Sequence, residues 1–107
     1  MTLAVARVLR EFLSDAARPR YGYELMGVTG FPSGKLYPVL SKLVRAGWLA
    51  REREQIDPVQ AGRPARYLYH LTEEGATSAR RELALLSDLL TPVPQGTVLP
   101  QADRARA

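Results

Sequence analysis

The apolar residues of this chain change period twice. They recur every three or four positions up to Leu43, alternate from Tyr67 to Leu71, and return to three- and four-residue steps from Ala76 to Leu90. A step of three or four lines one face of a helix and a step of two lines one face of a strand, so helices must flank a short stretch of sheet.

Val5, Leu9, Phe12 and Ala16 define a first amphipathic helix over Leu3 to Ala16, with Arg7, Arg10, Glu11 and Asp15 between them. Arg18-Pro19 closes it, because the residue before a proline is pushed out of helical angles. A short second helix is expected from Gly22 to Val28, stopping near Gly30, with Thr29 to Pro32 as the turn that follows. Ser33 is the expected cap of a third helix, whose Leu36, Leu40 and Leu43 share a face and which Gly47 ends. Pro38 falls about one turn inside it, where the missing N–H costs less than in mid-helix.

Trp48 to Glu54 and Arg66 to Leu71 read as two strands joined by the turn-rich Asp57–Pro64 segment, with Tyr67, Tyr69 and Leu71 on one face. Thr72 is the expected cap of a last helix, with Glu73 and Glu74 favourably placed in its first turn. Gly75 stands where a capping box would need Glu or Gln. Ala76, Ala79, Leu83, Leu86 and Leu90 form the helix's apolar stripe, which Leu85 and Leu89 widen. After Thr91-Pro92, further prolines and a polar end read as a flexible tail.

At 107 residues the chain is sized for one core. The absence of cysteine excludes disulfides, thiolate metal sites and cysteine nucleophiles, and a single histidine, His70, makes no metal cluster. No metal or other cofactor is expected. Arg7, Arg10 and Glu11 interrupt the start where a signal peptide needs an apolar run, so a cytoplasmic protein without a membrane segment is expected. The net charge of +4 is unevenly spread: Arg18 to Arg66 holds nine Lys or Arg against four Asp or Glu. A local basic excess suits a polyanionic partner, although a solvated basic face has the same composition.

Three helices followed by a hairpin is the layout of a winged helix-turn-helix, whose third helix enters the major groove of DNA while the hairpin reaches the flanking backbone. Ser33, Lys35, Tyr37, Ser41, Lys42 and Arg45 fall outside the leucine stripe of that helix and can donate to phosphates or base edges. Arg63 and Arg66 flank Pro64 at the hairpin tip, in position to reach a minor groove. Tyr21, Tyr23 and Tyr37 are equally compatible with packing roles, Trp48 with the core, and His70 with packing on its strand. No nucleophile, base and orienting acid form a catalytic set, so no enzyme is expected.

Tyr21-Gly22-Tyr23-Glu24-Leu25, Ser33-Gly34-Lys35-Leu36-Tyr37-Pro38-Val39-Leu40 with Leu43 and Gly47, Gly62-Arg63-Pro64 with Arg66, and Tyr69 to Gly75 stand in an order and spacing that closely resembles the PadR-like transcriptional regulators, the phenolic acid decarboxylase repressor family. The resemblance implies a mainly α fold with a small β-hairpin: a winged helix-turn-helix over 1–72, a C-terminal dimerisation helix over 73–91 and a tail over 92–107. It implies a repressor acting as a homodimer on double-stranded DNA, with Tyr21, Ser33, Gly34, Lys35, Tyr37, Pro38, Ser41, Lys42, Arg63, Pro64 and Arg66 at the DNA. Two-fold symmetry would match a pseudo-palindromic operator with half-sites about one turn of DNA apart. Pro38 belongs to the family's Leu-Tyr-Pro signature, whereas Lys35 replaces the threonine common there, a change that could favour a guanine or a phosphate.

The family also implies dimerisation through the last helix with help from the first, here Val5, Leu9, Phe12, Ala79, Leu83, Leu86 and Leu90. A single C-terminal helix resembles its short branch. An apolar small-molecule effector at the dimer interface would also fit the family, with Leu9, Phe12, Leu86 and Leu90 the positions to inspect for a cavity. The alternative is a winged helix that serves as a protein–protein interaction module without DNA, docking a partner on the Leu83–Leu90 face.

Overall fold

The computed structural model describes residues 1–92; the tail expected over 92–107 lies, apart from Pro92, outside the described residues. Helix α1 spans Leu3–Leu13, strand β1 Arg20–Tyr21, α2 Gly22–Thr29, α3 Ser33–Arg45, β2 Leu49–Arg53, α4 Pro58–Ala61, β3 Tyr67–Leu71 and α5 Glu73–Leu90. The expected helix–helix–helix–hairpin–helix order is present, with β1 and α4 added.

Thr2 caps α1 by accepting from the Val5 amide at 3.1 Å. The helix stops at Leu13 instead of Ala16 because the Glu11 carbonyl, which a further turn would offer to Asp15, is taken by Ser14 Oγ at 2.6 Å and Arg20 Nη1 at 2.9 Å. Arg20 is the one charged residue buried in the described core. Its Nε donates to Glu24 at 2.9 Å and its Nη2 lies 3.9 Å from Glu11, so one guanidinium joins α1, β1 and α2. The sequence reading counted Arg20 with the basic excess; its charge is spent inside the fold.

Helix α2 ends at Gly30 in the left-handed region, and α3 begins three residues later. Pro32, not Ser33, occupies the cap position of α3; Ser33 is already helical and makes no capping bond. Proline's fixed φ suits the turn, and the Pro32 carbonyl receives the amides of Lys35 and Leu36 at 3.0 and 2.9 Å. Pro38 does not break the helix, which continues to Arg45.

The sheet is antiparallel in the order β1-β3-β2. β3 pairs Tyr69 with Arg20 on one edge and Tyr67 through Leu71 with Arg53 through Leu49 on the other. Its alternation holds for Tyr69 and Leu71, which are core, while Tyr67 on the same face is exposed. The hairpin loop contains the short α4, capped by Asp57 and ended by Gly62.

Leu9, Phe12, Leu25, Leu36, Leu40, Leu43, Leu49 and Ala79 meet in one core. This revises the expected dimer contacts. Within the single chain Val5, Leu9 and Phe12 of α1 and Ala79 of α5 are at most 7% exposed where the two helices pack together, so their side chains belong to the core. Of that set, Leu83 and Leu86 are half-buried and Leu90 is exposed.

The start of α5 explains the missing capping box. Thr72 Oγ1 accepts from the Gly75 amide at 2.9 Å and donates to the Gly47 carbonyl at 2.6 Å, drawing the helix start against the end of α3. A Cβ on Gly75 would stand 1.9 Å from the Trp48 carbonyl oxygen, so no side chain fits. Gly75→Ala should therefore cost about 3 kcal/mol in urea unfolding, the upper part of the overpacking range. A loss below about 1 kcal/mol would mean that the Trp48 backbone yields freely.

Candidate nucleic-acid interface

Helices α2 and α3 with their three-residue turn form the helix-turn-helix, and α3 buries Leu36, Leu40 and Leu43. Its opposite face exposes Gly34, Tyr37, Pro38, Ser41, Lys42 and Arg45, and the helix contains no carboxylate. Hydroxyls and cations on such a ridge suit phosphate oxygens and groove edges. Ser33 is exposed at the first turn. Lys35 departs from this group: its Nζ lies 4.4 Å from the Phe31 ring centroid, over the turn and toward the groove between α1 and α5. At 3.6 residues per turn, Lys35 and Tyr37 sit on opposite flanks of the helix.

All five tyrosines, Tyr21, Tyr23, Tyr37, Tyr67 and Tyr69, line one cleft of about 300 Å³ between the helix-turn-helix and the wing, together with Gly22 and Arg66. The Tyr37 ring packs on Gly22, where a Cβ would lie 2.4 Å from the Tyr37 hydroxyl and would push that exposed ring aside. The Arg66 guanidinium is 5.6 Å from the Tyr21 ring centroid, and Arg51 is 4.4 Å from that of Tyr67. Burial pushes the Tyr69 phenol pKa up, with Arg51 opposing the shift. Tyr67 and Tyr69 were read from sequence as strand-face residues and not as site residues, and Arg51 was not singled out, because the fold of the hairpin is what brings the two tyrosines to one cleft with Tyr21 and Tyr37.

The wing is closed by Glu54, which sequence reasoning missed. Its carboxylate accepts from Arg63 Nη1 at 2.7 Å and Nη2 at 3.0 Å, from Tyr21 Oη at 2.7 Å and from the Arg66 amide at 3.2 Å. The Glu54 amide donates to the Arg66 carbonyl at 2.8 Å. Arg63, expected as a free cation at the tip, is thus committed to a bidentate pair, whereas Pro64 and Arg66 are exposed. Arg63 and the Tyr21 hydroxyl hold the Glu54 carboxyl down at about 2. The same hydrogen bond raises the Tyr21 phenol, and the pair raises Arg63. An acid between two basic positions gives no sequence signal until the hairpin register brings them together.

This arrangement of helix-turn-helix and hairpin defines a winged helix of the transcription-regulator type. The chain belongs to the transcriptional regulator PadR-like family, whose family model matches residues 11–81. The structure resembles smu.1704 from Streptococcus mutans UA159, at 25% identity and a TM-score of 0.66 over 82% of this chain and 79% of that one. It also resembles a PadR-like transcription factor from Bacteroides fragilis, at 21% identity and 0.66 over 80% and 82%. Staphylococcus aureus MepR in its DNA-binding conformation shares the fold at 12% identity, with a TM-score of 0.67 over 84% of this chain and 61% of that one. No curated protein matches in sequence. The family is one of transcription regulators rather than enzymes, and PadR-like regulators bind DNA.

A carboxyl held below its usual 4.5 stabilises the wing above that pH, and its contribution is lost as pH falls through about 2. The Glu54 carboxyl carbon, followed by NMR, should therefore titrate near 2. A midpoint above 4 would show that the closed wing is not the solution state.

Proposed function

We propose that this protein is a homodimeric repressor that binds a pseudo-palindromic operator, with α3 in the major groove and the wing along the adjacent backbone or minor groove. The observation that carries this reading is the exposed face of α3, where Tyr37, Ser41, Lys42 and Arg45 stand together without an acid. Arg66 lines the tyrosine cleft together with Tyr21 and Tyr37, and Pro64, two residues before it, is exposed. Ser33 and Gly34 present the backbone of the helix start to the groove, Pro38 shows it an exposed ring, and Lys35 reaches a phosphate at the edge by swinging off Phe31.

Dimerisation is assigned to α5. Leu85, Leu89 and Leu90 are 55%, 82% and 68% exposed, a cluster of apolar side chains within six residues that a second α5 would cover. Leu83, Leu86 and Leu90 also line a groove of about 480 Å³ with Leu3, Phe31 and Lys35, which reaches from the dimerisation helix to the turn before α3. An apolar effector bound there would touch both, which is the geometry release from DNA requires. A DNA-binding regulator of this kind acts where the genome lies, which supports the cytoplasmic reading; separately, no described helix is long and apolar enough to cross a membrane.

Purified protein should prefer DNA from upstream of its own gene over random DNA in fluorescence anisotropy. Its affinity should fall with salt at a slope of about −0.9 per neutralised phosphate. Equal affinity for both DNAs at low salt would defeat the reading. Leu90→Asp should weaken the dimer at least about 100-fold in sedimentation, since symmetry buries the new charge twice; an unchanged dimer would place the interface elsewhere.

A further inference from the structure

We propose that Glu54, an acid in the DNA-facing wing, strengthens DNA binding as a positioning residue, and that Arg63 acts through Glu54 rather than on DNA. The inference rests on the DNA-binding reading above. Simple electrostatics predicts the opposite for Glu54, because a carboxylate near a polyanion repels it.

The hydrogen bonds decide between the two. Residues 55–65 hang between the last residue of the β2 side and Arg66, and Glu54 closes that loop twice: through the backbone, where its amide meets the Arg66 carbonyl, and through its side chain, where it receives the Arg66 amide. Arg63 then folds back from Gly62, whose φ of +71° reverses the chain, to give both terminal nitrogens to the same carboxylate. The Tyr21 hydroxyl adds a bond from the residue just before α2, so the wing is tied to the helix-turn-helix.

With that carboxylate neutral, Arg63 and Arg66 would sample many positions, and ordering them on DNA would cost affinity. With it in place, Arg66 is held exposed beside Tyr21 at the cleft. Arg63 has both terminal nitrogens on the Glu54 carboxylate, and Nη1 also donates to the Pro64 carbonyl at 3.2 Å, so its charge is already paired and only Nε and one Nη2 hydrogen remain uncommitted.

The test is a double-mutant cycle on the full chain, with Glu54→Gln, Arg63→Gln and the double variant. DNA affinity is read across salt, and the thermal midpoint of each variant is measured beside it. Wild-type binding to the promoter DNA is measured first, and its absence would defeat the functional reading rather than this one. The expected result is that each single variant binds about tenfold more weakly, the scale of one charge-assisted hydrogen bond. The double variant should be no weaker than either, and Arg63→Gln should leave the salt slope unchanged. Hydrogen exchange at the Arg66 amide should quicken in all three. The inference is overturned if Glu54→Gln binds as tightly as wild type or tighter, if the two losses add, or if Arg63→Gln lowers the salt slope by about 0.9. A large fall in thermal midpoint that accounts for the lost affinity would also overturn it, by making Glu54 merely a fold stabiliser; the conservative Glu54→Asp, if it restored stability but not affinity, would confirm a positioning role.

Discussion

Strand β3 is paired on both edges, and the relation between wing and helix-turn-helix depends on it. Its partner β1 runs into α2 without an intervening residue, and its partner β2 follows α3 closely. Backbone hydrogen bonds therefore set the wing against the recognition helix, and side chains only refine the fit. Arg20 fixes β1 from beneath through Glu11 and Glu24, and Tyr21, its neighbour on the other face, reaches Glu54 from above. Successive residues of a strand point to opposite faces, so two residues suffice to join core and wing.

The second organising contact is the close approach of α5 to the end of α3. Thr72 and Gly75 press the start of α5 on Gly47 and Trp48, and the helix then runs back over α1. The result encloses Leu9, Phe12 and Ala79, and directs the far leucines of α5 away from the core. The groove beneath those leucines ends at Phe31 and Lys35, one turn from the exposed face of α3. In the proposed regulator, dimer geometry and recognition-helix position share these residues.

Much of this was legible in the sequence because it repeats or caps. The leucine spacing of α3, the alternation of β3, the Thr72 cap and the glycines at 30 and 47 all appear where periodicity and turn chemistry put them. The misses have physical reasons. Two residues are too few to show a strand period, so β1 was invisible, and the stop of α1 depends on Arg20 arriving from nine residues away. A stripe that reads as unpaired along one helix can be paired by another, which moved Leu9, Phe12 and Ala79 from a dimer contact to the core. At the candidate interface, Tyr37, Ser41 and Lys42 were visible from their place outside the leucine stripe. The partners of Arg63 and the gathering of the tyrosines required the hairpin register.

The central claim is that α3 and the wing meet DNA as one surface. It is tested most directly by titrating isotope-labelled protein with its promoter DNA and following amide shifts by NMR. The account predicts that Tyr37, Ser41, Lys42 and Arg66 shift together with a single midpoint, while the core of the fold stays in place. Shifts confined to the leucine face of α5, or wing and helix responding at separate midpoints, would contradict it.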